Sequence, residues 1–520
     1  MPRKILKTKH RQKWFYALLR QRFAIILLLA LQFSLLITLL LSSSQASQYI
    51  RMSLHVISWI VCVWIISKEE KQAYKVVWVF LILLLPVFGG MFYLMFKSQT
   101  SKTRVSKYLQ KHQLMTKLPH DQDKNRLPLL EQAHPDKAPL ARYLQNTAGF
   151  PLYTNTNTTF FPLGEFWYED MINELKSAKK YIFLEYFIIE EGKFWDSVLD
   201  ILKQKAAEGV DVRIMYDDIG CFLTLPKKYN KHLEKMGIKC HVFNKFRPII
   251  SGLQNNRDHR KITAIDGKIA YTGGCNMADE YINQKQKYGH WKDCSLKLEG
   301  DGAWGLTLIF LQMWQACSGQ KEDWDTFYPY AQTPCDIYNP SFVQPYADSP
   351  LDKYNVGENV YISIIQNAKK YLYINTPYLI PDENIFSALL LCAQSGVDVK
   401  IITPAVWDKK FVHITTRSYY RDLIDAGIEI YEYSEGFNHS KTFLCDDEVA
   451  TVGTTNLDYR SLYLHFECGV RLVGTESIQS IKDDYLATLD KCKRITKEDC
   501  QAKLPLRIIQ SILRIFAPLM

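Results

Sequence analysis

Long apolar runs separated by short polar ones mark the first hundred residues, and a finer alternation of apolar and polar positions follows. Residues 23–41 are almost wholly apolar and long enough to span a bilayer. The run exceeds the roughly 7–15 residues of a signal-peptide core, which favours an uncleaved anchor. Residues 76–96 (VVWVFLILLLPVFGGMFYLMF) form a second span, whose Pro86 and Gly89-Gly90 a membrane helix tolerates against a partner helix. Between them, residues 54–66 are apolar for thirteen positions, which fits a short span, a re-entrant piece or an interfacial helix. Residues 97–147 are polar, basic and punctuated by prolines, a linker with helical pieces. Beyond 147, short apolar runs rich in β-branched and aromatic residues alternate with helical periodicity and glycine turns, the pattern of an α/β layer structure.

That C-terminal part contains an internal repeat. Ser177-Ala178-Lys179-Lys180 leads into YIFLEYFII, and Asn367-Ala368-Lys369-Lys370 leads into YLYINTPYLI. A helical stretch then ends in AAEGVDVRIMYDD (206–218) or CAQSGVDVKIITPA (392–405). HRKITAIDGKIAYTGGCN (259–276) is matched by HSKTFLCDDEVATVGTTN (439–456). The order of features is kept while the offset drifts from 190 at the lysine pairs to 180 at the histidines, as small insertions would produce. The expected organisation is a basic arm (1–22), a membrane region (23–96), a linker (97–147), two duplicated halves (148–335 and 336–500) and a C-terminal amphipathic helix (501–520). In that last helix Arg507, Gln510, Ser511 and Arg514 share one arc and Leu506, Ile509, Ile512, Leu513 and Phe516 another. Such a pattern serves either a membrane interface or packing on the protein.

Charge narrows the partner. The net charge of the 520 residues is +10, but residues 1–22 carry eight basic residues and no acid, and residues 148–520 are left at −6. A nucleic-acid binder places its basic patch on the functional domain, whereas basic residues flanking apolar spans suit an anionic lipid surface. The basic arm puts the N-terminus in the cytoplasm. Two spans would then leave the C-terminal part inside and three would put it outside, and lysines follow both later segments. The twelve cysteines show no zinc-site or redox spacing and read as buried free thiols of a reducing compartment.

The chemistry lies in the repeat. Side chains two apart on a strand share a face, so His259 and Lys261 present together, as do His439 and Lys441. Two imidazoles and two ammonium groups brought together suit displacement at a phosphodiester, with no metal and no cofactor required. One histidine attacks phosphorus, the other protonates the leaving alkoxide, and the lysines balance the nonbridging oxygens. Each imidazole needs an acceptor on its second nitrogen. Asp293 and Glu467, 34 and 28 residues after the histidines of their own halves, are the candidates. Asn276 and Asn456 follow small-residue turns and are candidate phosphate donors; Asp266 and Asp446 serve either in the site or at hairpin turns.

HxKxxxxD followed by a small-residue turn and Asn, present twice, resembles the phospholipase D superfamily. The longer stretches LEYFI (184–188), NTPYLIPD (375–382), TTRSYYRDLIDAGIEIYEY (415–433) and VGTTNLDYRSLYLHFE (452–467) resemble bacterial cardiolipin synthases, as does the membrane segment ending in LLLPVFGGMFYLMF. The resemblance implies two α/β/α sandwich halves behind N-terminal transmembrane helices in a multi-pass protein of the bacterial cell membrane. It implies transfer of a phosphatidyl group from one phosphatidylglycerol to another through a phosphohistidine, releasing glycerol. By analogy His259 is the nucleophile and His439 the general acid. Departures are Asp258 and His465, each where the family pattern leads one to expect Asn, and the span at 23–41. Hydrolysis to phosphatidic acid or a different alcohol acceptor is the nearest alternative, and a membrane-tethered nuclease a remote one that the acidic body opposes.

Overall fold

The computed structural model describes residues 44–69, 71–85, 125–246, 255–329, 341–351 and 354–519, with isolated positions in the N-terminal region. The chain divides into an N-terminal unit and a larger compact unit holding both repeats.

In the N-terminal unit, helix α1 (Gln45–Ile66) has a mean hydropathy of 1.7 over its most apolar window and is long enough to cross a membrane. It extends the thirteen-residue run by nine positions because its first turns are polar, and the Ser44 hydroxyl accepts from the Ser47 N–H at 3.2 Å to cap it. Helix α2 (Gln72–Leu84) is apolar but only 13 residues long and stops ahead of Pro86. Cys62 and Ile65 of α1 pack with Trp78 and Ile82 of α2, and Lys68 lies 3.3 Å from the centre of the Trp64 ring. The run at 23–41 falls almost wholly outside the described residues.

The larger unit contains two mixed sheets of matching strand order. The first comprises β1 (Thr156–Phe161), β2 (Tyr181–Tyr186), β3 (Asp211–Asp217), β4 (Lys239–Phe243), β5 (Lys261–Ile265), β6 (Ile269–Gly273) and β7 (Ser295–Gly300), in spatial order β1-β7-β6-β5-β2-β3-β4. The second comprises β8 (Phe342–Asp348), β9 (Tyr371–Asn375), β10 (Asp398–Pro404), β11 (Glu429–Tyr433), β12 (Thr442–Cys445), β13 (Val449–Gly453), β14 (His465–Val473) and β15 (Cys492–Ile495). Its order, β8-β14-β13-β12-β9-β10-β11-β15, repeats the first and adds one edge strand. In each sheet three strands run parallel and the rest pair antiparallel.

Strand β2 shows how the sequence encodes the layers. Ile182, Leu184 and Tyr186 point into one core with Trp167 and Met171 of helix α3 (Gly164–Ser177) and Trp195 and Val198 of α4 (Lys193–Ala207). Tyr181 and Phe183 point into a second core. That second core is common to both halves. It holds Leu296 and Leu298 of β7, Val470 and Leu472 of β14, and most of α5 (Asp301–Ser318), a helix apolar all round because protein surrounds it. The duplicated sandwiches are therefore one packed body.

The stretch expected to be a linker is partly folded onto this body. Arg126 pairs with Asp301 at 3.2 Å, buried Lys137 pairs with Glu448 at 2.9 Å, and the Arg471 guanidinium donates to the Lys137 carbonyl. Two of the basic residues credited to the membrane surface are thus spent internally. At the far end, α10 (Leu504–Phe516) holds α8 (Lys410–Asp425) through Arg514, which meets Asp422 at 2.8 Å and lies over Tyr419. Between them in sequence come α9 (Ser477–Leu489) and, before α8, α6 (Val356–Gln366) and α7 (Glu383–Gln394). Leu504, Leu506, Ile508, Ile509 and Ile512 of α10 remain exposed, so the helix packs on the protein along one arc and keeps an apolar arc free.

Candidate active site

The halves meet through short exchanged strands. Arg257–Asp258 of the first half pairs in parallel with His465-Phe466, the start of β14, and Gly436–Asn438 of the second pairs with His290–Lys292 of the first. The backbone N–H of His259 donates to Phe466 O at 2.9 Å, and that of His439 donates to Lys292 O at 2.7 Å. Each catalytic-type histidine is thereby pinned beside the strand that carries the other half's acid.

The acids consequently bind crosswise. His259 Nδ1 lies 3.0 Å from both carboxylate oxygens of Glu467, and His439 Nδ1 lies 2.6 Å from Asp293 Oδ2. Sequence distance had suggested a partner within each half; the exchanged strands impose the opposite. Both acids are fully buried and further fixed: Asp293 accepts from the Cys294 N–H at 2.9 Å, and the Thr454 hydroxyl donates to Glu467. Gly274 is required here, because a side chain on it would stand 1.9 Å from Asp293 Oδ1. With Nδ1 bonded to a carboxylate, Nε2 is the free nitrogen of each ring.

Lys261 and Lys441 are buried and each donates to the carbonyl of the histidine two residues before it, at 2.6 Å for Lys261. Burial, then Lys261 and Lys441, hold the His259 imidazole well below its ordinary range. Burial and Lys441 hold His439 down to about 4, against the upward pull of Asp293. Burial brings the Lys261 ammonium down to about 8 and lowers Lys441. Each imidazole thus feels the lysine of the other half, the electrostatic signature of one convergent site. Two buried ammonium groups beside two imidazoles are suited to meet the nonbridging oxygens of an anion such as a phosphodiester.

Other expected residues are placed differently. Asp266 and Asp446 lie at the opposite ends of β5 and β12 from the histidines, both with positive φ. Asp266 accepts from the backbone N–H groups of Lys179, Lys180 and Tyr181, and Asp446 from those of Lys369, Lys370 and Tyr371, at 2.7–2.8 Å. They clamp the starts of β2 and β9 and do not join the site, which corrects the catalytic role offered by their motif position. Asp266→Ala is expected to lower stability by about 1–3 kcal/mol while sparing kcat per folded molecule, as thermal unfolding combined with active-site titration would show. Asn276 bridges the Ile188 N–H and the Tyr281 hydroxyl, and Asn456 donates to Ser461 Oγ, so one amide donor of each is spent on shaping its loop.

One network was missed. Glu185, Asp258 and Arg260 are buried together beneath His259, with Arg260 Nη1 3.6 Å from Glu185. Burial pushes both carboxyls up, and the Asp258 charge adds to the rise at Glu185, while Arg260 pulls against it at both and the contact with Glu185 pulls against it at Asp258. The corresponding positions of the second half are neutral: Asn438 donates to Asn375 Oδ1 at 2.9 Å beside Ser440. Aligning the two repeats would have exposed this exchange of a neutral pair for an acid pair with its arginine.

Known proteins carry the same architecture. The family described as "Cardiolipin synthase, PLD-like domain" matches residues 171–289 and 361–488, and "Phospholipase_D-nuclease N-terminal" matches residues 56–97. A cardiolipin synthase of Halalkalibacterium halodurans is 32% identical over 88% of this chain and 91% of its own length. One of Geobacillus sp. (strain WCH70) is 34% identical over the same shares. An uncharacterised protein of Streptococcus mutans serotype c is 43% identical over 88% of this chain and 99% of its own. The crystal structure of a phosphatidylserine synthase from Haemophilus influenzae superposes with a TM-score of 0.56 at 15% identity, covering 73% of this chain and 97% of that one, a likeness of fold. The fold and the paired motifs define a phospholipase D superfamily enzyme, and the chain belongs to its cardiolipin synthase family.

Proposed function

We propose that this enzyme joins two phosphatidylglycerol molecules into cardiolipin and glycerol at the single site formed by His259, Lys261, His439 and Lys441. The crossed His–carboxylate pairs carry the reading, because they bring both motifs and both orienting acids to one place. His259 Nε2 attacks the phosphorus of the first lipid, and the P–O bond to its headgroup glycerol breaks as His439 delivers a proton to the leaving oxygen. The phosphatidyl group is then held by a P–N bond. His439, now neutral, takes the proton from a headgroup hydroxyl of the second lipid, whose oxygen attacks phosphorus and releases His259. The lysines turn from the histidine carbonyls to the nonbridging oxygens. The shorter carboxylate contact at His439 favours its imidazolium once the anionic substrate is bound, which supports its role as the acid.

The relatives' names supply the lipid class, and α1 with the apolar segment behind it supplies membrane association. We read the region as multi-pass, with the exposed arc of α10 lying against the lipid surface. In vesicles of phosphatidylglycerol the purified enzyme is expected to form cardiolipin and glycerol in equal amounts. Phosphatidic acid as main product, or an adduct with another alcohol only, would replace this reading with hydrolysis or with a different acceptor.

A further inference from the structure

His465 has no part in the reaction as described, and its position is unusual. It is 8% exposed, and neither ring nitrogen has a hydrogen-bond partner; Nδ1 stands 3.6 Å from Glu467 Oε1, beyond bonding distance. Burying an imidazole with both nitrogens unsatisfied is unfavourable unless something else occupies them. Its ring centre is 5.4 Å from that of His259, and Phe187 covers both rings. One ligand-capable atom from each of His259, His465 and Glu467 lies within 4.8 Å of the others. Two imidazoles and a carboxylate are a donor set that zinc takes readily, leaving a fourth position for water or a phosphate oxygen. Zinc needs its ligand atoms about 3.3 Å apart, so the set must close by roughly 1.5 Å. Rotation of the unpartnered His465 ring supplies that movement.

The feature is confined to one motif. The strand register pairs Trp291 with Phe437 where it pairs His465 with Arg257, and the Trp291 ring lies beside His439 as the His465 ring lies beside His259. We propose that His259, His465 and Glu467 form an inhibitory site for Zn²⁺, which seizes the attacking histidine and its orienting acid together. The binding rests on these three side chains alone; the inhibition rests also on the role given to His259 above. Lys261 and Lys441 oppose the added positive charge and set a limit on affinity, so the metal remains reversible.

The test uses the full-length enzyme in detergent, freed of metal by chelator. Co²⁺, added as a spectroscopic stand-in, is expected to give the visible bands of a four-coordinate site. X-ray absorption of the Zn²⁺-loaded enzyme is expected to count two imidazoles. His465→Asn should weaken binding by at least the roughly 10–100-fold that losing even a supporting partner costs. Activity of each protein is scored against its own metal-free rate, and Zn²⁺ should silence the wild type at concentrations that spare His465→Asn. Absence of retained metal, one imidazole or none by X-ray absorption, or equal affinity in the variant overturns the site. If His465→Asn fails to fold, the ligand count on the wild type decides. Metal bound by two imidazoles with turnover intact would overturn the inhibition and the role of His259. A preparation that turns over no lipid at all would sink the functional reading while the spectra still judged the site.

Discussion

His259→Ala is expected to abolish turnover with every substrate, whereas His439→Ala should regain its first step when the leaving group needs no proton. The two imidazoles differ in what they supply. Loss of the attacking nitrogen removes the covalent route, an effect on the order of 10⁶ in kcat where nucleophile and base act as a unit. Loss of a general acid is worth about 10²–10⁴, and only if the departing oxygen would otherwise leave as a basic alkoxide. Glycerol is such a leaving group; p-nitrophenolate is not. Given phosphatidyl-p-nitrophenol, His439→Ala should therefore release a burst of one p-nitrophenol per site and then stall. The same histidine is needed as base to deprotonate the second alcohol, so the phosphatidyl group should stay on His259, where mass spectrometry of a peptic digest would find it. A burst from His259→Ala and none from His439→Ala would exchange the two roles.

The chemistry-bearing motifs were legible because they are duplicated. A lone His-x-Lys has little meaning, but two of them, each followed by Asp at one distance and Asn at another, pointed to paired halves and to His259, Lys261, His439 and Lys441 as the centre. The same regularity misled at Asp266 and Asp446. An Asp fixed in spacing looks as though it belongs to the site, yet the spacing reflects the length of β5 and β12, beyond whose far ends it sits and clamps the starts of β2 and β9. The crossing of Asp293 and Glu467 left no trace in the chain order, because it comes from the pairing of two- and three-residue strands between halves. Nor could residue counts show that α1 begins at Gln45, since its opening turns are polar and only the cap at Ser44 marks them. Sites made between repeats are poorly encoded by local sequence, for each half looks self-sufficient when read alone.

That crossing makes an expectation that differs from the one an uncrossed site would give. Asn in place of Asp293 puts an amide where a carboxylate accepted the Nδ1–H of His439. The ring is then driven toward the other tautomer, and its imidazolium loses the charge that stabilised it; in a comparable triad the same change lowers kcat by about 10⁴. Asp293→Asn should therefore behave like His439→Ala, slow with phosphatidylglycerol but able to give the burst with phosphatidyl-p-nitrophenol. Glu467→Gln should behave like His259→Ala: the nucleophile carries its proton on Nε2, no lone pair faces phosphorus, and no leaving group restores the burst. Were the acids paired within their own halves, the two phenotypes would be exchanged. Double variants sharpen the distinction, since groups that act as a unit are strongly non-additive. Adding Glu467→Gln to His259→Ala should change little, while adding it to His439→Ala should remove the burst that His439→Ala retains. The shared core between the halves supplies the reason for such interdependence. Each half holds one reacting nitrogen and the other half's orienting acid, so a chain divided between residues 330 and 340 should be inactive as separate pieces and active only where the pieces reassemble.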